Sequence, residues 1–68
     1  MNITYDKKVD AMYIKLNENE PYHSTKKVTD DVLVDYSKKG KVIGVEVLDA
    51  SKNVVFSKKE AKVPIENL

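Results

Sequence analysis

The chain of 68 residues contains no cysteine, no tryptophan and no arginine. Without cysteine it has neither a disulfide nor a thiolate metal site, which are two common ways to stabilise a small domain. Without arginine it lacks the planar groups that contact guanine edges or clamp phosphates through paired hydrogen bonds. These absences leave association with another chain as the expected source of additional stability.

Length and charge narrow the possible partners further. A chain of this size forms one domain, residues 1–68, and buries only about 60% of the surface that it exposes when unfolded. The net charge of +1, from 12 basic and 11 acidic residues, predicts no strong attraction to nucleic acid. No apolar run approaches the roughly 18 residues of a membrane span, and no apolar signal region follows the polar start. We therefore expect a cytoplasmic protein with no membrane partner.

The apolar residues alternate with a period of two more often than 3.6, which predicts strands. The five candidate strands are Ile3–Tyr5, Ala11–Leu16, Thr25–Thr29, Val32–Ser37 and Val42–Leu48. The third candidate is the weakest, and its pair Lys26 and Lys27 predicts the edge of a sheet. The expected fold is α+β and mostly β: an antiparallel meander of four to five strands with a short helical element after residue 48.

The segment Val32–Leu48 is typical of a β-hairpin with Gly40 in the left-handed position of a three-residue loop. Ser37 then faces Lys41, and the predicted ladder pairs Tyr36 with Val42 and Asp35 with Ile43. It continues with the pairs Val34–Gly44, Leu33–Val45 and Val32–Glu46. One face carries Leu33, Ile43, Val45 and Val47. The other carries the predicted interface, namely Val32, Val34, Tyr36, Val42 and Leu48. A slip of one residue would exchange these sets.

The period of two is lost after Leu48. Asp49 or Ser51 is a candidate cap for a helix over Ala50–Phe56, although Val54, Val55 and Phe56 suit a strand equally well. This segment offers an alternative to self-association, because it can fold back over the second hairpin face. Residues 57–60 have the spacing of a capping box, and Pro64 ends any helix there. Residues 57–68 are the expected loosely ordered tail, whose end either covers an apolar face or frays.

Four segments resemble the small prokaryotic family called domain of unknown function 2283. They are Ile3-Thr4-Tyr5-Asp6, residues 10–16, Val34-Asp35-Tyr36 and residues 40–51, in that order. The resemblance covers most of residues 3–51. It implies a short protein with no assigned activity and supplies no catalytic motif to transfer.

Only a few residues offer chemistry. Carboxylates in one cleft can hold a cation, but in the predicted register Asp35 and Glu46 point to opposite faces, and Asp49 lies beyond the hairpin. If Asp30 and Asp31 form a two-residue turn, Asp35 is expected instead to meet Lys26 across strands. His23 follows Pro21 in a loop without the orienting acid and fixed nucleophile of a triad. Asp6, Asp10, Asp30 and Asp31 are typical turn residues.

We therefore expect no enzyme activity, no catalytic or metal-binding residues and no cofactor. The expected function is a non-catalytic protein-interaction module that forms a homodimer or binds another protein through the second hairpin face. The alternative is a nucleic-acid-associated accessory protein that uses lysines and tyrosines, of which only Tyr13, Tyr22 and Tyr36 are candidates to share one side. A small metal-binding protein or enzyme is the third possibility.

Overall fold

The computed structural model describes residues 1–54 and 65–68. Alternating apolar and β-branched residues form most of the strands, as expected from their fit to a half-buried pleated surface. The strands are β1 (Asn2–Asp6), β2 (Ala11–Lys15), β3 (Tyr22–Lys27), β4 (Val32–Ser37), β5 (Val42–Val47) and β6 (Ile65–Asn67), and one helix, α1 (Ala50–Asn53), lies between β5 and β6.

The described strands form one mixed sheet in the order β3-β4-β5-β2-β1-β6. The mostly β class is confirmed, but the pure antiparallel meander is wrong, because β6 runs parallel to β1. In addition, β2 pairs with β5 and not with β3, the next strand in sequence. This pairing places Met12 opposite Val47 and Ile14 opposite Val45, so two apolar pairs form that the polar strand β3 cannot supply.

The loop between β4 and β5 has the predicted conformation. Gly40 has a φ of 85°, and its N–H donates to the Ser37 carbonyl at 2.9 Å. The Ser37 N–H donates to the Lys41 carbonyl at 2.9 Å, which confirms that these two residues face each other. The strand β4 has the predicted bounds, whereas β5 ends one residue early.

The ladder beyond this loop differs from the prediction by one residue. Tyr36 pairs with Val42 as expected, but the next pair is Asp35–Gly44, so Ile43 is an extra residue at a β-bulge. The remaining predicted pairs are therefore wrong: the observed ones are Val34–Val45, Leu33–Glu46 and Val32–Val47.

This shift redistributes the hairpin side chains between the two faces of the sheet. Val32 and Val34 lie on the same face as Val45 and Val47, and we call this the core face. Leu33 lies with Glu46 on the opposite side, which we call the open face. The predicted separation of two apolar sets is therefore wrong, because the bulge shifts every residue of β5 after Ile43 by one position relative to β4.

The core lies against the Ala50 end of α1. Met12, Val47 and Ala50 form the buried cluster, and the partly buried residues packed against it are Ile3, Tyr5, Ile14, Val45, Val54 and Ile65. The helix is shorter than predicted, since Val54 is already extended at φ −125° and ψ 131°. Val54 packs against the buried cluster, while Phe56 and residues 57–64, on which the rest of the predicted cover depends, lie outside the described residues.

The two outer strands of the described sheet, β3 and β6, can be compared with the sequence predictions. β3 is an edge strand, as its lysines predicted, although its bounds are Tyr22–Lys27 and not Thr25–Thr29. At the other end, Ile65 pairs with Ile3 and Glu66 with Thr4. The last residues of the expected loose tail therefore form a strand.

Candidate functional site

A row of polar side chains crosses the open face from the edge strand towards the centre of the sheet. The Tyr22 hydroxyl lies 2.8 Å from Thr25 Oγ1 within β3. Thr25 Oγ1 donates to Asp35 Oδ1 in β4 at 2.6 Å, and the Tyr13 hydroxyl in β2 donates to Asp35 Oδ2 at 2.9 Å. The row therefore links β3, β4 and β2, with β5 passing between the last two.

Gly44 in β5 makes this connection possible. It pairs with Asp35 on one side and with Lys15 on the other, so it lies beneath the path from Tyr13 to Asp35. A Cβ built at Gly44 would overlap the Tyr13 hydroxyl oxygen and lie 2.5 Å from Tyr13 Cζ. The aromatic ring occupies the space that any side chain at this position would need.

The electrostatics of the row favour a neutral Tyr13. Burial raises the pKa of Tyr13 to about 12, helped by its hydrogen bond to Asp35 and by the negative charges of Asp35 and Glu46. Both carboxylate oxygens of Asp35 accept hydrogen bonds from hydroxyl groups. Such an arrangement orients the side chains, and the raised pKa makes the Tyr13 phenol a poor acid at neutral pH.

The structure changes two predictions about Asp35. It faces Thr25 across the strands, not Lys26, because β3 and β4 pair one residue out of the expected register. It also lies on the same face as Glu46, whereas the predicted register placed them on opposite faces. Glu46 pairs with Tyr13 and Leu33, and Asp49 has a left-handed conformation before α1.

No three His, Cys, Asp or Glu side chains among residues 1–54 and 65–68 are placed to hold a metal ion. His23 lies in exposed β3, at the register shift between Tyr22 and Ser24. Among the three tyrosines considered for stacking, Tyr13 and Tyr22 belong to the row on the open face. Tyr36 is two residues from Val34 along β4 and lies on the core face.

A second cluster forms around Asp10, a residue that the sequence predicted only as a turn residue. Its Oδ1 accepts from the Tyr5 hydroxyl at 2.7 Å and from the Ser51 N–H at 3.0 Å, and its Oδ2 accepts from Ser51 Oγ at 2.6 Å. The hydrogen bonds from Ser51, followed by that from Tyr5, lower the pKa of Asp10. The same hydrogen bond between Tyr5 and Asp10 raises the pKa of the Tyr5 hydroxyl.

Asp10 therefore caps α1 from a distance. Asp49 occupies the predicted N-cap position, but its side chain makes no cap hydrogen bond. The backbone carbonyl of Asp10 also accepts from the Ala50 N–H at 2.9 Å. Because 41 residues separate Asp10 from Ser51, no local sequence pattern signals this contact.

The turn aspartates have the predicted kind of role. Asp6 Oδ1 accepts from the Lys8 N–H at 3.0 Å, as in an Asx turn. Asp31 Oδ2 accepts from Asn53 Nδ2 at 3.2 Å, so it also reaches the helix. Asp30 forms an ion pair with Lys27.

Four of the five residues of the predicted interface lie on the core face, because Val42 pairs with Tyr36 and therefore shares its face. Val32, Val34 and Tyr36 are half-buried on the core face. Val42 is 38% exposed, and half-buried Leu48 donates its N–H to the Asp31 carbonyl at 2.7 Å.

The model of a family described as "Protein of unknown function (DUF2283)" matches residues 2–51. The chain belongs to this family. The match confirms the resemblance seen in the sequence and includes the Tyr13–Asp35 row, Gly44 and the Asp10 cluster. No curated protein and no solved structure matches the chain. Within the described residues, no helix has the length and apolar character needed to cross a bilayer.

Proposed function

We propose that this DUF2283 protein is a non-catalytic interaction module that binds a protein chain along the edge strand β3. One observation carries the proposal: β3 ends the sheet, and all six of its residues are exposed. An edge strand offers unpaired backbone donors and acceptors to which an extended chain can add as another strand.

The hydrogen bonds to β4 indicate which backbone groups of β3 point outward. The Val28 N–H donates to the Val32 carbonyl at 2.8 Å, so the backbone N–H of Val28 faces β4. Because the N–H and C=O groups of successive residues in a strand point to alternate sides, those of Ser24 and Lys26 also face β4. The groups of Thr25 and Lys27 face away from the sheet and are available to a partner.

The edge is held in shape by the row on the open face. Thr25 is hydrogen-bonded to Asp35, which Tyr13 holds in turn from the middle of the sheet. A strand fixed in this way loses little conformational freedom when a partner binds, which favours affinity. Tyr22 at the start of β3 and Val28 directly after its end are 62% and 56% exposed and add apolar contact area.

The proposal changes the surface that the sequence suggested. Val32 and Val34 share the core face, so we assign the interaction to β3 and not to a second apolar face of the hairpin. Expected partners are a second copy of the chain or another protein. The hydrogen bonds from Thr25 and Tyr13 to Asp35 give this carboxylate a structural role within the sheet, which supports the non-catalytic part of the proposal.

The Lys27→Pro variant tests this function. Proline removes the outward N–H of Lys27, and an edge strand tolerates proline where that N–H faces solvent. Lys27→Ala is the matched control, because it removes the side chain and keeps the N–H. We expect wild type and Lys27→Ala to share one oligomeric state in light scattering, or to capture the same protein from a cell extract.

Lys27→Pro should lose that association while keeping the melting temperature of the control. Association that is unchanged in Lys27→Pro contradicts the proposal. A wild-type chain that remains monomeric at high concentration and captures no protein contradicts it as well.

A further inference from the structure

We infer that the chain bound along β3 is an extended segment with two successive acidic residues. This inference rests on the proposed function and adds the chemistry of the partner. It follows from the charges of β3 and from the directions in which its two lysines project.

The charged side chains of the edge strand are all basic. Between Tyr22 and Val28 the chain carries Lys26 and Lys27 and no acidic residue. Lys27 Nζ lies 3.3 Å from Asp30 Oδ1, but the two side chains are 63% and 98% exposed, so water screens this pair strongly. Among residues 1–54 and 65–68, no carboxylate lies within ion-pair distance of Lys26. Both ammonium groups are therefore available to a partner.

The two lysines project to opposite faces of the sheet. Lys26 pairs with Val34 on the core face, and Lys27 pairs with Leu33 on the open face. An added strand would place its own successive side chains on alternate faces in the same way. Two adjacent acidic residues in that strand would place one carboxylate beside each lysine, which a single acidic residue cannot do.

A second copy of the chain fits this edge less well. Pairing β3 with its own copy would bring four lysines together, and lysines on edge strands oppose such self-pairing. A strand of opposite charge replaces this repulsion by attraction. The charge of β3 therefore favours an acidic partner over a homodimer formed through this strand.

Capped synthetic peptides can test the inference with the full-length protein. The acidic probe is Thr-Val-Glu-Glu-Val-Thr, the neutral control is Thr-Val-Gln-Gln-Val-Thr, and the basic control is Thr-Val-Lys-Lys-Val-Thr. Binding is measured by fluorescence anisotropy of the labelled peptides. Since two exposed ion pairs contribute little each, we expect the acidic peptide to bind about three- to tenfold more tightly than the neutral one. The preference should shrink as salt is added.

Two variants separate charge from strand addition. In the double variant Lys26→Glu and Lys27→Glu, the preference should reverse towards the basic peptide. In Lys27→Pro, binding of the acidic peptide should be lost, while Lys27→Ala should retain a weakened form of it. Acidic-peptide binding that persists in Lys27→Pro overturns the inference, because attraction would then not require the strand edge.

Other outcomes distinguish this inference from the proposed function. Equal binding of the acidic and neutral peptides overturns the inference alone, provided that Lys27→Pro still abolishes association with a captured protein. A wild-type dimer that Lys27→Pro dissociates also overturns only the inference, because the occupant is then a second copy. If Lys27→Pro changes neither peptide binding nor association, both fail.

Discussion

At the scale of single residues, the position of the Tyr13 ring depends on the missing side chain at Gly44. Tyr13 reaches from β2 across β5 to Asp35 because no side chain stands at Gly44. Glycine within a strand normally weakens it, since it has no side chain to pack and loses more backbone entropy. Here the ring of Tyr13 covers the glycine, and its hydroxyl gains a carboxylate acceptor.

The substitution Gly44→Ala should therefore destabilise the protein in a way that depends on Tyr13. The new Cβ would displace the ring and break the hydrogen bond to Asp35, at a cost of about 1–3 kcal/mol. In a Tyr13→Ala background the same substitution should be neutral or stabilising, because alanine has less backbone entropy to lose than glycine. Denaturant unfolding of the four variants measures the coupling. Equal effects of Gly44→Ala in both backgrounds would show that the ring does not occupy this space.

Tyr13 should also stand out in alkaline titration. Its pKa of about 12 lies above the usual value near 10, since burial and Asp35 oppose ionisation. A raised folded pKa means that its contribution to stability is complete below about pH 10 and is lost as the pH rises from 10 to 12. Absorbance of the ionised phenols should show a late transition that disappears in Tyr13→Phe. A wild-type curve that is complete by pH 11 would contradict this assignment.

At the scale of elements, the features predicted from neighbouring residues in the sequence are the ones that the structure confirms. The Gly40 loop, the bounds of β4 and the lysine-marked edge at β3 follow from a few neighbouring residues, and the structure has all three. The bulge at Ile43 was not predicted, although Gly44 directly after it is a local signal, since glycine within a strand often marks a bulge. The contact of Asp10 with Ser51 and the pairing of β6 with β1 depend on tertiary structure alone.

The Gly40→Val variant tests the loop between β4 and β5. Gly40 has a φ of 85° and no atom within 4 Å of an added Cβ, so any cost comes from backbone conformation and not from a clash. Valine should lower the free energy of unfolding by about 1–2 kcal/mol, and Gly40→Asn by less, because asparagine tolerates left-handed conformations better. Unfolding midpoints provide the measurement. A melting temperature unchanged by valine would be inconsistent with the loop.

The remote cap at Asp10 predicts a specific acid dependence. Its pKa is lowered by hydrogen bonds from Ser51 and Tyr5. A lowered folded pKa means that the stabilisation is present above the unfolded value near 4 and is lost as the pH falls below it. In Asp10→Asn, which keeps the left-handed φ of 52° accessible, stability should fall less over this range. Asp30→Asn, at a 98% exposed side chain, is the control and should follow wild type.

At the scale of the whole molecule, the sheet has one core face and one open face. The sequence suggested two apolar faces because apolar residues occupy nearly every position of β4 and β5. The bulge leaves only one of the two faces predominantly apolar, because it places Val34 opposite Val45, and Leu33 opposite Glu46. The buried cluster of Met12, Val47 and Ala50 lies on the core face alone. A partner is therefore expected at the sheet edge and not on a second apolar layer.

A pair of polar substitutions in adjacent residues tests this assignment of faces. Val34→Asn places an amide on the core face opposite Val45, and Leu33→Asn places one on the open face opposite Glu46. An unpaired polar group against apolar neighbours costs about 1–3 kcal/mol, so Val34→Asn should lower the free energy of unfolding by more than Leu33→Asn, although leucine is the larger residue. Chemical denaturation of both variants at one pH gives the comparison. The register predicted from the sequence alone, with Leu33 opposite Val45, requires the reverse order. A larger loss in Leu33→Asn would therefore show that the hairpin lacks the bulge at Ile43 and that its two faces are exchanged.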